Sequence, residues 1–161
     1  LERRWGIDTV EGRNGESIYE HWKNGPKTLH GTMTSGFPNQ FYIGYIQGGL
    51  NASVTEQFGR QGEHIAWIVS HALEKHIDVV EPTEEAMNDY VQTFEKLEID
   101  ISSFQRECPP GYFNNEGEDK PKWALFRGWG HGWDAFQKVL HDWREKGDLA
   151  GMAVTHRKKQ D

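Results

Sequence analysis

The chain has 161 residues and a formal net charge of -7. That length suits one domain with its own hydrophobic core, and the acidic balance argues against nucleic acid or an anionic membrane surface as a partner. No apolar run nears the ~20 residues that cross a bilayer. The single cysteine, Cys108, cannot form an internal disulfide, so the chain is read as cytoplasmic. The clustered cations Arg157, Lys158 and Lys159 read as a solvated tail.

Only 35% of residues are apolar, yet seven are Trp, so large rings are expected to supply much of the core. Residues 1–36 form an irregular lead-in, interrupted by Gly12, Gly15, Gly25, Gly31 and Gly36, with a short helical turn near 17–22. Residues 39–46, rich in aromatic and β-branched side chains between Pro38 and Gly48-Gly49, predict a buried strand. Ser53 and Glu56 have capping-box spacing, and a helix is expected from there to about residue 75. Its predicted apolar stripe is Val54, Phe58, Ile65, Ile68, Val69 and Ala72.

A second helix is predicted to start near Pro82-Thr83-Glu84-Glu85 and to bury Met87, Tyr90, Val91, Phe94 and Leu97. Residues 99–121 read as loop and 123–126 as a short strand. A last helix over 134–146 presents Phe136, Val139, Leu140 and Trp143, with Asp134 as its cap and Gly147 as its stop. Residues 151–155 close the chain as a strand. The expected fold is α+β: a small mixed sheet of short strands packed by about three helices, with long irregular loops. All of 1–161 forms one domain, divided into a lead-in (1–36), a strand–Gly-Gly–helix unit (37–76) and a remainder of helix, aromatic loop and C-terminal helix (77–161).

The strand–Gly-Gly–helix unit is the most informative local feature, because polar ligand groups dock where glycines join a strand to a helix N-terminus. The stretch Gln47-Gly48-Gly49-Leu50-Asn51-Ala52 is nevertheless not G-x-G-x-x-G, and it reads first as a tight turn. The eight histidines show no metal-ligand spacing, and His64, His71 and His76 are expected on a solvated helix surface. The segment Gly128-Trp129-Gly130-His131-Gly132-Trp133 fits either an aromatic plug or a pocket wall.

Several blocks together resemble the Baeyer–Villiger monooxygenases. They are Thr32-Met33-Thr34-Ser35-Gly36-Phe37-Pro38-Asn39-Gln40-Phe41-Tyr42-Ile43-Gly44, Gln57-Phe58-Gly59-Arg60-Gln61-Gly62-Glu63-His64-Ile65, Phe104-Gln105-Arg106-Glu107-Cys108, Tyr112-Phe113-Asn114-Asn115-Glu116-Gly117 and Trp143-Arg144-Glu145-Lys146-Gly147-Asp148-Leu149. The resemblance is to the C-terminal portion of that family, and it implies that Gly48, Gly49, Leu50 and Asn51 match the stretch lying near the flavin. The family's two G-x-G-x-x-G fingerprints for FAD and NADPH are not in this sequence. Its F-x-G-x-x-x-H signature is only mimicked by Phe58-Gly59-Arg60-Gln61-Gly62-Glu63-His64, at the wrong spacing.

Two functions follow as expectations. In the first, the chain works without a bound cofactor on a hydrophobic natural-product intermediate, as a cyclase or isomerase closing a ring of Diels–Alder type. Orientation alone can supply roughly 7–11 kcal/mol in the best cases. In the second, it is the C-terminal part of an FAD- and NADPH-dependent enzyme that oxidises ketones to esters or lactones. A silent hydrophobic-ligand binder is a third reading. The expected site lies between the 47–51 turn and the 129–133 segment. Gln47, Asn51 and His131 would be the catalytic donors and proton shuttle, and Gly48, Gly49, Leu50, Tyr112, Trp129 and Trp133 the substrate-binding wall. A homodimer is also expected, because a lone parallel-type strand at 39–46 would leave backbone groups unpaired.

Overall fold

A computed structural model describes residues 10–98, 107–111 and 127–156. The strand expected at 123–126, Tyr112 and the basic tail lie outside them. The described elements are a one-turn helix α1 (Ile18–His21), helix α2 (Val54–Glu74), strand β1 (Ile77–Pro82), helix α3 (Glu84–Leu97), helix α4 (Gly132–Lys146) and strand β2 (Met152–His156). This is an α+β arrangement, as expected, with three long helices around a two-stranded sheet among the described residues.

The helix boundaries follow their capping chemistry. The Ser17 hydroxyl accepts from the Tyr19 backbone N–H at the start of α1, and the Ser53 hydroxyl does the same from Glu56 at the start of α2. Thr83 caps α3 by accepting from Ala86 N–H, and Pro82, expected at the start of that helix, instead ends β1. Helix α4 starts two residues earlier than expected, at Gly132. Asp134 therefore sits inside the first turn, where its charge faces the helix dipole, and is not the cap. Gly147 ends α4 in the left-handed conformation, as its position predicts.

The sheet differs from expectation in a way that has a physical reason. Residues 39–46 do not form a strand. Asn39 (φ 55°) and Gln47 (φ 45°) bend the run at both ends, and its backbone is satisfied piecemeal instead of by a ladder. The Asn39 side chain donates to the Asp78 carbonyl and accepts from Val80 N–H, while the Gln61 amide both donates to and accepts from the backbone of Gly44. The parallel edge that motivated a dimer is therefore absent. The sheet consists of β1 paired antiparallel with β2, from Ile77↔His156 to Pro82↔Met152. Strand β1 was not anticipated. Its residues fall mostly in the gap between the helix expected to end near 75 and the one expected to start near Pro82.

Rings do supply the core. Met33, Ile68, Ile77, Val80 and Trp143 pack where α2, α4 and the sheet meet, while Tyr90, Phe94, Trp129, Phe136 and Leu140 pack between α3 and α4. The stripe of α2 is only half as expected. Ile68 and Ala72 are buried, but Val54 and Val69 are exposed, and the inward positions one, two and three turns before Ile68 are His64, Gln61 and Gln57. Polar groups face inward there because irregular loops bring backbone that needs partners. Gln57 accepts from Asn51 N–H, as Gln61 does from Gly44.

Candidate functional site

The two segments singled out in the sequence do meet. Gly48 and Gly128 form an isolated parallel bridge, and Trp129 N–H donates to the Gly48 carbonyl at 3.0 Å. The contact is tight. A Cβ added to Gly49 would lie 2.7 Å from Phe136 and 2.9 Å from Trp133, and one added to Gly128 would lie 2.6 Å from the Leu50 side chain. The room that these glycines open is thus taken up by the chain's own rings and by Leu50. It is not shaped as a cradle for the phosphates of a nucleotide, so the residues of the turn do not by themselves fit FAD or NADPH as a binding loop.

The individual side chains divide sharply. Gln47 is buried, and its side-chain oxygen accepts from both the N–H and the hydroxyl of Thr28, at 2.8 and 2.9 Å. Its backbone carbonyl accepts from the Tyr90 phenol at 2.5 Å. Asn51 accepts from Ser53 N–H at 2.8 Å, a local turn contact just ahead of α2. Trp129 is 8% exposed and wedged among Tyr90, Phe94 and Phe136, with ring centroids 5.9 to 6.4 Å apart. That is the geometry of a plug. Trp133 is half-buried against Gly49, and His131 is exposed at the N-terminal end of α4. The geometry therefore places Gln47, Gly48, Gly49, Leu50 and Trp129 in one packed junction, with Asn51, His131 and Trp133 at its margin.

A second constellation escaped the sequence reading. His64 was expected on a solvated surface, yet it is fully buried, and His30 is 6% exposed with a left-handed backbone (φ 56°). Their ring centroids are 5.3 Å apart, and each lies edge-on to Trp143 at 5.2 to 5.4 Å. The Arg144 guanidinium sits 3.3 Å from Nδ1 of His64. Burial, reinforced by Arg144, pushes the His30 imidazole down to about 4, and burial with its two neighbours pushes His64 further in the same direction. His71 stacks on Trp67 at 4.5 Å and contacts the Gly147 carbonyl at 2.8 Å. The available signal was the spacing of Gln57, Gln61, His64, Ile68 and Ala72, which traces one helix face with polar members in it.

No protein-family model matches the chain. Sequence relatives do. It is 37% identical over 151 residues to pentalenolactone D synthase of Streptomyces exfoliatus, covering 94% of this chain and 26% of that protein. It is 36% identical over 138 residues to a Baeyer–Villiger monooxygenase of Streptomyces coelicolor, covering 85% of this chain and 22% of the relative. The fold matches that of the polycyclic ketone monooxygenase of Thermothelomyces thermophila with a TM-score of 0.77 and 28% identity, over 92% of this chain and 24% of that one. The chain spans about a quarter of the length of these relatives.

Proposed function

We propose, from its likeness in sequence and fold to the C-terminal portion of Baeyer–Villiger monooxygenases, that this chain acts as the substrate-side part of a flavin-dependent enzyme inserting oxygen into a polycyclic ketone of secondary metabolism. In this reading the nucleotide cofactors are held by polypeptide outside these 161 residues, and the 47–51 turn with its packed glycines forms one rigid border of the reaction chamber. The chain's own contribution is positional. It fixes the turn through Gln47, Thr28 and Tyr90 and braces it against Trp129 and Phe136.

The observation that carries the reading is the outward face of α2. Near its C-terminal end Val69 and Leu73, one turn apart and off the buried stripe, are 40% and 63% exposed. Adjacent exposed apolar side chains on a helix fit a surface that another element covers. The remaining three quarters of a relative-sized enzyme would supply such an element. The cofactor-free ring-closure reading draws less support, because the side-chain oxygen of Gln47 is engaged by Thr28 and His131 lies exposed at the margin.

The test is a chimera in which this chain replaces the matching quarter of pentalenolactone D synthase. The expected result is a yellow, NADPH-consuming protein that converts a polycyclic ketone to a lactone, with Leu73→Glu lowering flavin retention in it. A chimera that folds and holds flavin yet oxygenates none of the ketones offered would sink the proposal. So would turnover of a ring-closing substrate by the isolated, colourless chain.

A further inference from the structure

We propose that His30 and His64 form an acid-sensitive latch that locks the 47–49 turn to helices α2, α3 and α4, and that it opens when the imidazoles take up protons. A non-glycine residue with φ 56° that is also buried is held there by its surroundings, and strained positions of this kind concentrate where a structure performs a switch or a function. His30 sits between two elements. Its ring meets His64 of α2 at 5.3 Å and Tyr90 of α3 at 5.5 Å, edge-on to both.

His64 is set up to reject a proton. Guanidinium N–H groups only donate, so the Arg144 contact makes Nδ1 of His64 the acceptor and puts the ring hydrogen on Nε2. That Nε2 is buried without a hydrogen-bond partner. A second proton would have to enter on Nδ1, directly against a cation. The titratable and charged groups acting on the pair are Tyr90 from α3 and Arg144 from α4, and Arg144 in turn is flanked by Arg60 and Glu63 of α2 and by Glu145 of α4. The two carboxylates are largely solvated, with side chains 62% and 73% exposed, and Glu63 is paired with Arg60 at 3.0 Å. Among the described residues, no buried carboxylate stands by to neutralise an imidazolium.

The latch connects to the turn by two short routes. Tyr90, whose ring meets His30, donates its phenol to the Gln47 carbonyl. Thr28, two residues before His30, holds the Gln47 side chain through both its N–H and its hydroxyl. Displacing His30 therefore disturbs both anchors of Gln47 together, and the 47–49 turn loses its fixed position against Gly128 and Trp129.

Amide hydrogen exchange at Thr28 and residues 47–49, corrected for intrinsic pH effects, tests this on the full chain between pH 7.5 and 4.5. Two buried neutral bases that ionise only on opening make the opening equilibrium approach a ~100-fold rise per pH unit below their ordinary value. His64→Gln, which keeps an acceptor for Arg144, and His30→Asn, which tolerates the left-handed backbone, should each reduce that slope to ~10-fold per unit. Slopes unchanged in both variants would overturn the proposal. If a variant fails to fold, imidazole NMR on the unaltered chain decides. Two of the eight histidines must stay neutral until the turn opens; eight histidines titrating normally in the folded protein would refute the latch.

Discussion

The phenol of Tyr90 donates to the backbone carbonyl of Gln47 at 2.5 Å, across 43 residues of sequence and wholly inside the protein. It joins the middle of α3 to a turn whose central residues are glycines and which has few side chains of its own to hold it. Tyr90→Phe keeps the ring and removes only the donor, leaving a buried carbonyl short of its partner. The expected loss of stability is about 1–3 kcal/mol. Denaturant unfolding with an unchanged m-value is the measurement. A loss below ~0.5 kcal/mol would show that the turn is held by its contacts to Thr28 and Trp129 without help from the phenol.

The Gly48-Gly49 pair was legible as a turn, and the structure adds the reason that glycine is required. At Gly49 a methyl group would lie 2.7 Å from the Phe136 ring and 2.9 Å from Trp133, neither of which is a flexible chain end. Gly49→Ala should cost about 1–3 kcal/mol through overpacking. Combining it with Phe136→Leu should recover part of that cost, giving a non-additive double-mutant cycle. Strict additivity would mean that the glycine serves something other than the fit to α4.

What could be read from residues alone divides along a physical line. Helices α2, α3 and α4 were legible because caps and apolar periods are local, and Ser53, Gly147 and the stripe of Met87, Tyr90, Val91 and Phe94 needed no distant partner to be recognised. The run at 39–46 misled because its composition is that of a strand while its pairing is decided by Asn39 and Gln61, through contacts 17 to 41 residues away. His64 misled for the same reason. A helical histidine reads as solvated until the loop carrying His30 folds over it.

The candidate site was legible as a place more than as a chemistry. Glycine-broken segments at 47–49 and 128–132 were expected to meet, and the bridge between Gly48 and Gly128 joins them. Trp129 and His131 then separate by stability. Trp129→Ala removes a ring packed against three others and should cost about 3–5 kcal/mol. His131→Ala, at an exposed position without a capping bond, should change stability by less than ~0.5 kcal/mol. Thermal unfolding of the two variants side by side checks the pair. Equal losses would mean that the ring at 129 is not a plug.

The buried imidazoles set the acid limit of the fold, and the sign follows from His30. Its folded value of about 4 lies below the ordinary 6.5, so the unfolded chain binds more protons between these two pH values. The stabilising preference for the neutral ring is complete above about 6.5 and declines as pH falls through that value, until the folded ring itself protonates near 4. At ~1.4 kcal/mol per pK unit, His30 accounts for about 3 kcal/mol across this window. His64, displaced in the same direction, steepens the decline. Carboxylates with lowered values, such as Asp142 beside Lys138, lose their preference only under more acidic conditions, because their ordinary range is already near 4. Urea unfolding at pH 7.5, 6.5, 5.5 and 4.5 should therefore show stability nearly level over the first interval and falling across the next two. The fall should be markedly shallower in His30→Asn. A profile level down to pH 4.5, or one whose slope survives in that variant, would place the acid sensitivity outside the histidine pair.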